Sequence, residues 1–150
     1  MKFLRNRSSV ILIEHDKVAL IKRIRDGSIY YVFPGGGIED GETPAEGAKR
    51  EALEELGIEV NVKECISEVD FNGTQYFFLT EWKSGTFGTG QGEEFTVVQR
   101  NRGIYLPVWV DIDELPSIDV RPREAALIVQ SLFKNERESE LIAGEKRKFQ

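Results

Sequence analysis

Apolar residues open the chain in two short runs, Val10 to Ile13 and Val18 to Ile21, separated by the polar trio His15-Asp16-Lys17. Runs this short, rich in Val, Ile and Leu, predict strands over Ser8 to Ile13 and Val18 to Ile24 that pair as a hairpin. Asp26-Gly27 marks a second turn before a strand over Ile29 to Phe33, and Pro34 ends that strand because proline has no N–H for a ladder. After Gly57, Val60, Val62, Cys65, Ile66 and Val69 alternate with a break near Lys63-Glu64, the mark of a long, bulged strand to Phe71. Asn72-Gly73 turns the chain back into Thr74 to Trp82, with Tyr76, Phe77 and Phe78 as its aromatics. Gly103 to Val110 is a further strand, in which Pro107 suggests an edge or a bulge.

Twice the apolar spacing changes to that of a helix. Thr43 can serve as N-cap with Pro44 at the first helical position, Glu46 three residues later closes a capping box, and Gly57 supplies the stop. Ala45, Ala48, Ala52, Leu53 and Leu56 give this helix its apolar surface. A second helix opens at Pro122 and turns Ala125, Ala126, Val129, Leu132 and Phe133 toward the core, while from Lys134 onward charge dominates and fraying is expected. Strands, helix, strands and a last helix predict an α/β domain over residues 1–150, a mixed sheet between helices on opposite faces.

Composition narrows the partners. The chain has 150 residues, 40% hydrophobic and 31% charged, which suits one globular domain with its own core. A net charge of −6 disfavours binding to a nucleic-acid polymer, which requires Lys and Arg to neutralise phosphates. The run Val10 to Ile13 is too short for a membrane span or a signal-peptide core. Cys65 is the one cysteine, so no intramolecular disulfide forms, a cytoplasmic home is expected, and the residue reads as a small buried strand side chain. His15, the one histidine, falls at a predicted turn and reads as a solvent-exposed spectator.

The first helix carries the chemistry. Spacings of three and four bring Glu51, Glu54 and Glu55 onto one helical face, where like charges each cost a few tenths of a kcal/mol (about 0.2–0.5). A divalent cation reverses that sign. Carboxylates beside the glycine run Gly35-Gly36-Gly37 make an all-oxygen site of the kind magnesium or manganese prefers, with substrate phosphates completing the shell. Metal-assisted attack of water on a phosphoanhydride is the reaction such a site suggests. An acidic helix with pairs such as Glu46 to Arg50 and Arg50 to Glu54 is more often only a solvated face.

The full spacing argues otherwise. Gly36, five residues, Glu42, seven residues, then Arg50-Glu51-Ala52, one residue, Glu54-Glu55, one residue and Gly57-Ile58 resembles the signature of the Nudix hydrolases at every fixed position. Val32-Phe33-Pro34-Gly35-Gly36-Gly37 resembles the usual approach to that box. The resemblance implies a Nudix-type α/β/α sandwich, with the positions of Glu51, Glu54 and Glu55 binding the divalent cation and the carbonyl of Gly35 often joining them. It also implies that Arg50 orients the glutamates through salt bridges and that Glu42 supports the helix and loop. The activity implied is magnesium-dependent cleavage, manganese being the other candidate, of a phosphoanhydride in a nucleoside diphosphate linked to another moiety.

Outside the box the readings stay open. The glycine-rich connection Ser84 to Thr96 contains Glu93 and Glu94, and the resemblance implies a further glutamate in such a loop as base or metal ligand; a solvated turn is the competing reading. Gly36 is expected to bring backbone close to phosphate, and Arg23, with Lys22 and Arg25, to line the approach for an acidic substrate. Tyr76 lies near where a tyrosine marks dinucleoside polyphosphate hydrolases. Nucleoside triphosphates, dinucleoside polyphosphates, nucleotide sugars and ADP-ribose remain as substrates, and a catalytically silent, nucleotide-binding regulatory module remains as the alternative function. Monomer and homodimer are both admitted.

Overall fold

A computed structural model of the chain describes residues 5–70, 72–90 and 103–148, with side chains described as far as residue 135. Its elements run β1 (Arg7–Glu14), β2 (Lys17–Arg25), β3 (Ser28–Val32), β4 (Gly35–Gly37), α1 (Pro44–Leu56), β5 (Ile58–Asp70), β6 (Thr74–Gly85), β7 (Ile104–Asp111), a 3-10 turn (Ile112–Ser117), β8 (Val120–Arg121) and α2 (Arg123–Lys148).

The β1–β2 hairpin holds the key to the architecture. His15 and Asp16 both take positive φ, at 48° and 67°, as a two-residue turn of this kind requires. Only Ile13↔Val18 and Glu14↔Lys17 pair across it, however, and the strands then part. Beyond that point β1 continues against β4 while β2 continues against β3, so one sheet opens into two halves. One half contains β5, β6, β1 and β4; the other contains β7, β2, β3 and β8. The β1/β6 and β3/β8 pairs are parallel and the others antiparallel, giving the mixed sheet expected.

Alternation along β1 shows how the sheet is covered. Val10 and Leu12 join a buried cluster with Ala48, Ala52 and Leu56 of α1. Ile11 points the other way, into a cluster with Ala125, Ala126, Val129 and Phe133 of α2. Two helices thus bury opposite faces. The alanines of α1 let its axis come close to β1 and β4, and that closeness brings carboxylates onto the glycine strand.

Several sequence expectations change. Gly35–Gly37 form a strand rather than a loop, pairing with Ser9, Ser8 and Arg7, and none of the three has positive φ. Their lack of a side chain serves close approach instead: a Cβ on Gly36 would collide with Glu51 Oε1. Leu53 is exposed rather than inward. Cys65 is exposed as well, its thiol donating to the Ser67 carbonyl, because β5 shifts register on both sides of it. The last helix runs on past Lys134 to Lys148. Pro107 sits on β7, which pairs with β2 alone, at the edge where proline is tolerated.

Candidate functional site

The site is built where α1 crosses β4. The helix begins as its capping box dictates: Thr43 accepts from the Glu46 amide at 3.1 Å, and Glu46 accepts from the Thr43 amide at 3.0 Å. It ends at Gly57, φ 77°, whose N–H donates to the Leu53 carbonyl. Between these fixed ends, the face carrying Glu51, Glu54 and Glu55 lies against the glycine strand.

Arg50 is the hub. Its Nε and Nη2 donate to the two oxygens of Glu42 at 2.8 and 3.0 Å, a two-pronged pair. Its Nη1 reaches Glu51 at 2.9 Å and Glu54 at 3.1 Å, and Nη2 also donates to the Gly37 carbonyl at 2.9 Å. Glu55 is oriented from the other side by the Gly35 N–H, which donates to its Oε2 at 3.0 Å. Glu51 and Glu55 are buried, at 4% and 7% exposure, whereas the Glu54 side chain is 41% exposed. Glu54 is therefore the member able to move without disturbing the core.

Electrostatics follow from that count. Glu42, Glu51 and Glu54 all bond to the one guanidinium of Arg50 and Glu39 lies 3.7 Å from it, so among the described residues carboxylates outnumber the cation here. The Glu42 carboxyl is held below its ordinary value of 4.5, first by the Arg50 hydrogen bond, with burial opposing. Arg50 in turn is raised, chiefly by Glu42, so it stays charged throughout the working range. Because the folded state lowers Glu42, its contribution to stability is present above about pH 4.5 and lost as pH falls through and below that value. Thermal melts from pH 6 down to 3 should therefore show wild type losing more stability than Glu42→Gln; parallel curves would mean that Glu42 gains nothing from Arg50.

Among the described residues no three Asp, Glu, His or Cys side chains converge on one point. The reason is visible in the contacts: Arg50 Nη1 stands between Glu51 and Glu54, and Glu55 is turned to Gly35. The donor set still suits a hard divalent cation, being all oxygen, surplus in charge, and closed on one side by a glycine whose Cβ would collide with a carboxylate.

Of the residues singled out in the sequence, Gly35, Gly36, Glu42, Arg50, Glu51, Glu54 and Glu55 come together here, with Gly57 at the helix end. Tyr76 lies two strands from Gly36, through Ser8, about 10 Å across the sheet. It packs on the α1-side cluster. Arg23 stands apart on β2, stacked over Tyr105. Glu93 and Glu94 lie outside the described residues. The Gly37 carbonyl is a partner of Arg50 that sequence reading missed, and no side-chain signal marks a backbone acceptor.

The NUDIX domain family model matches residues 3–130. The 8-oxo-dGTP diphosphatase of Proteus vulgaris is 34% identical over 85 residues, covering 51% of this chain and 76% of that protein. The ADP-sugar pyrophosphatase of Mus musculus is 46% identical over 55 residues, 35% of this chain and 25% of the mouse protein. Among solved structures, a NUDIX hydrolase from Nitrosomonas europaea superposes with TM-score 0.65 at 20% identity, covering 87% of this chain and 89% of that one. At that identity the likeness speaks to the fold. None of the helices among the described residues is long and apolar enough to cross a membrane.

Proposed function

This chain belongs to the Nudix hydrolases, an enzyme family that generally uses divalent metal ions on small nucleotide substrates, and from that premise we propose that it cleaves a phosphoanhydride in a nucleoside triphosphate or a related nucleoside diphosphate derivative. Glu51, Glu54 and Glu55 would hold magnesium in this reading, and Arg50 and Glu42 would keep them in place. Bound there, the cation supplies neutralisation of charge on the phosphate and a lowered pKa for attacking water.

The protein's own groups do the rest. Arg50 holds Glu51 and Glu54 in reach of one another, and the Gly35 N–H fixes Glu55. The bare backbone of Gly36 leaves room for the Glu51 carboxylate. The observation that carries the reading is that, among the described residues, several carboxylates crowd one guanidinium on α1, a like-charge crowding that a cation relieves. Nucleoside triphosphates come first among substrates because several bacterial relatives are 8-oxo-dGTP diphosphatases; nucleotide sugars come second, from the ADP-sugar pyrophosphatase.

A panel of nucleoside triphosphates, an 8-oxo nucleotide, dinucleoside polyphosphates and ADP-sugars, assayed for released phosphate and pyrophosphate with magnesium and with EDTA, tests it. Hydrolysis of at least one member that stops in EDTA is expected. Tight nucleotide binding with no hydrolysis would replace the enzyme by a silent binding module.

A further inference from the structure

The turn that follows β6 lands on the helix that carries the acids. β5 starts directly behind Gly57 and pairs with the end of β6, Ile58↔Gly85 and Glu59↔Ser84, so the residues after Gly85 emerge beside the C-terminus of α1. There Thr86 to Thr89 close a tight turn, the Thr89 amide donating to the Thr86 carbonyl at 3.3 Å and the Thr89 hydroxyl to the same oxygen at 2.6 Å. The Gly88 N–H donates to the Leu56 carbonyl at 2.9 Å. Gly90 comes so near the helix that a Cβ on it would collide with the carbonyl oxygens of Glu54 and Glu55.

This end of α1 needs support from outside. The last carbonyls of a helix have no partner within it. In α1 the Gly57 N–H donates to that of Leu53, the Gly88 N–H donates to that of Leu56, and the backbone of Gly90 lies over the two between. The charges oppose the helix as well: a C-terminus favours cations, yet the last turn holds Glu54 and Glu55 and no basic residue. Fraying of that turn would take Glu55 off the Gly35 N–H and Glu54 off Arg50.

One ring anchors the turn. From Lys83 to Thr89 every residue is exposed except Phe87, which is half-buried. Its ring stacks on Trp109 of β7 with centres 4.6 Å apart and planes at 29°, and Trp109 stacks on Trp82 of β6 at 6.1 Å and 22°. All three rings pack against the α1-side cluster. Because β6 and β7 lie in different halves of the sheet, the stack ties the end of α1 to both.

We propose that Phe87 is a positioning residue for the acids that hold the metal: stacked on Trp109, it presses Gly88 to Gly90 onto the C-terminus of α1 and so fixes the turn from which Glu54 and Glu55 project. The assignment rests on the function proposed above. It makes metal affinity depend on a ring that touches neither metal nor substrate.

The test compares wild type, Phe87→Ala, Phe87→Tyr, Gly90→Ala and Val62→Ala in three measurements: manganese binding without nucleotide, amide hydrogen exchange in EDTA, and melting temperature. Phe87→Ala should weaken manganese binding about tenfold, the lower end of what partners that orient metal ligands contribute. Exchange should quicken at the Gly57 and Gly88 amides, the two donors at the helix end. Phe87→Tyr keeps the ring and should bind as wild type does. Gly90→Ala keeps every ring but lifts the segment off the helix, and should lose a similar factor, so a folding defect in Phe87→Ala does not decide the matter. Val62→Ala thins the same cluster from β5 and should lower the melting temperature while manganese affinity stays within about twofold, as for sites without shared partners. Manganese affinity that falls no further in Phe87→Ala and Gly90→Ala than in Val62→Ala overturns the proposal, and so does a wild type that binds no manganese. A wild type that binds manganese and hydrolyses no nucleotide overturns the proposed function alone, and the affinities still decide the role of Phe87.

Discussion

Glu54→Gln is expected to lower kcat by about 10²–10³-fold, some 3–4 kcal/mol, while leaving the melting temperature unchanged or slightly higher. Among the three acids on the α1 face, Glu54 is the exposed one, and its Oε2 accepts from Arg50 Nη1 at 3.1 Å. An amide there still accepts from Arg50 and keeps its volume, so packing is undisturbed. What it removes is a negative charge from a patch already carrying a surplus, which relieves repulsion in the folded protein. Catalysis and stability thus move in opposite directions. Glu55→Gln offers no such separation, because Glu55 is buried and accepts from the Gly35 N–H. Steady-state turnover on a verified substrate at saturating magnesium, paired with a thermal melt, checks the expectation. Wild-type turnover in Glu54→Gln would remove that residue from the metal ligands.

The same residues explain how much could be read before the fold was known. The capping box at Thr43 and Glu46, the left-handed stop at Gly57 and the turn at Asn72-Gly73 are local signals, settled within a few residues, and each appears as expected, while the first turn is His15-Asp16 alone, with Lys17 already on β2. Grouping of Glu51, Glu54 and Glu55 follows from helical periodicity alone. What could not be read is non-local. That Gly35–Gly37 would be a strand depends on β1 parting from β2 after two residue pairs, which no property of the glycines announces. Cys65 reads as a buried residue because it falls in an apolar alternation, yet register shifts at Val62/Cys65 and Cys65/Ser67 turn it outward. The stack on Phe87 is harder still. Its members come from residues 82, 87 and 109, and only strand order brings them together.

Arg50→Ala should have the largest effect on stability, about 3 kcal/mol or more without metal, because it takes the guanidinium away from the carboxylates that bond to it. Glu42 and Glu51 are the heart of the loss: their side chains are 14% and 5% exposed, and both depend on Arg50 for charged hydrogen bonds. The Gly37 carbonyl loses its donor too, which loosens β4 against α1. Magnesium should then stabilise the variant more than it stabilises wild type, since the ion takes over neutralisation that Arg50 supplied, and the gain grows with concentration as linkage requires. Melting temperatures of both proteins across a magnesium titration, with calcium and potassium as controls, measure this. A loss in Arg50→Ala that no concentration of magnesium reduces would mean that the acids around Arg50 exist for Arg50 alone, and the ion would have to be sought elsewhere on the chain.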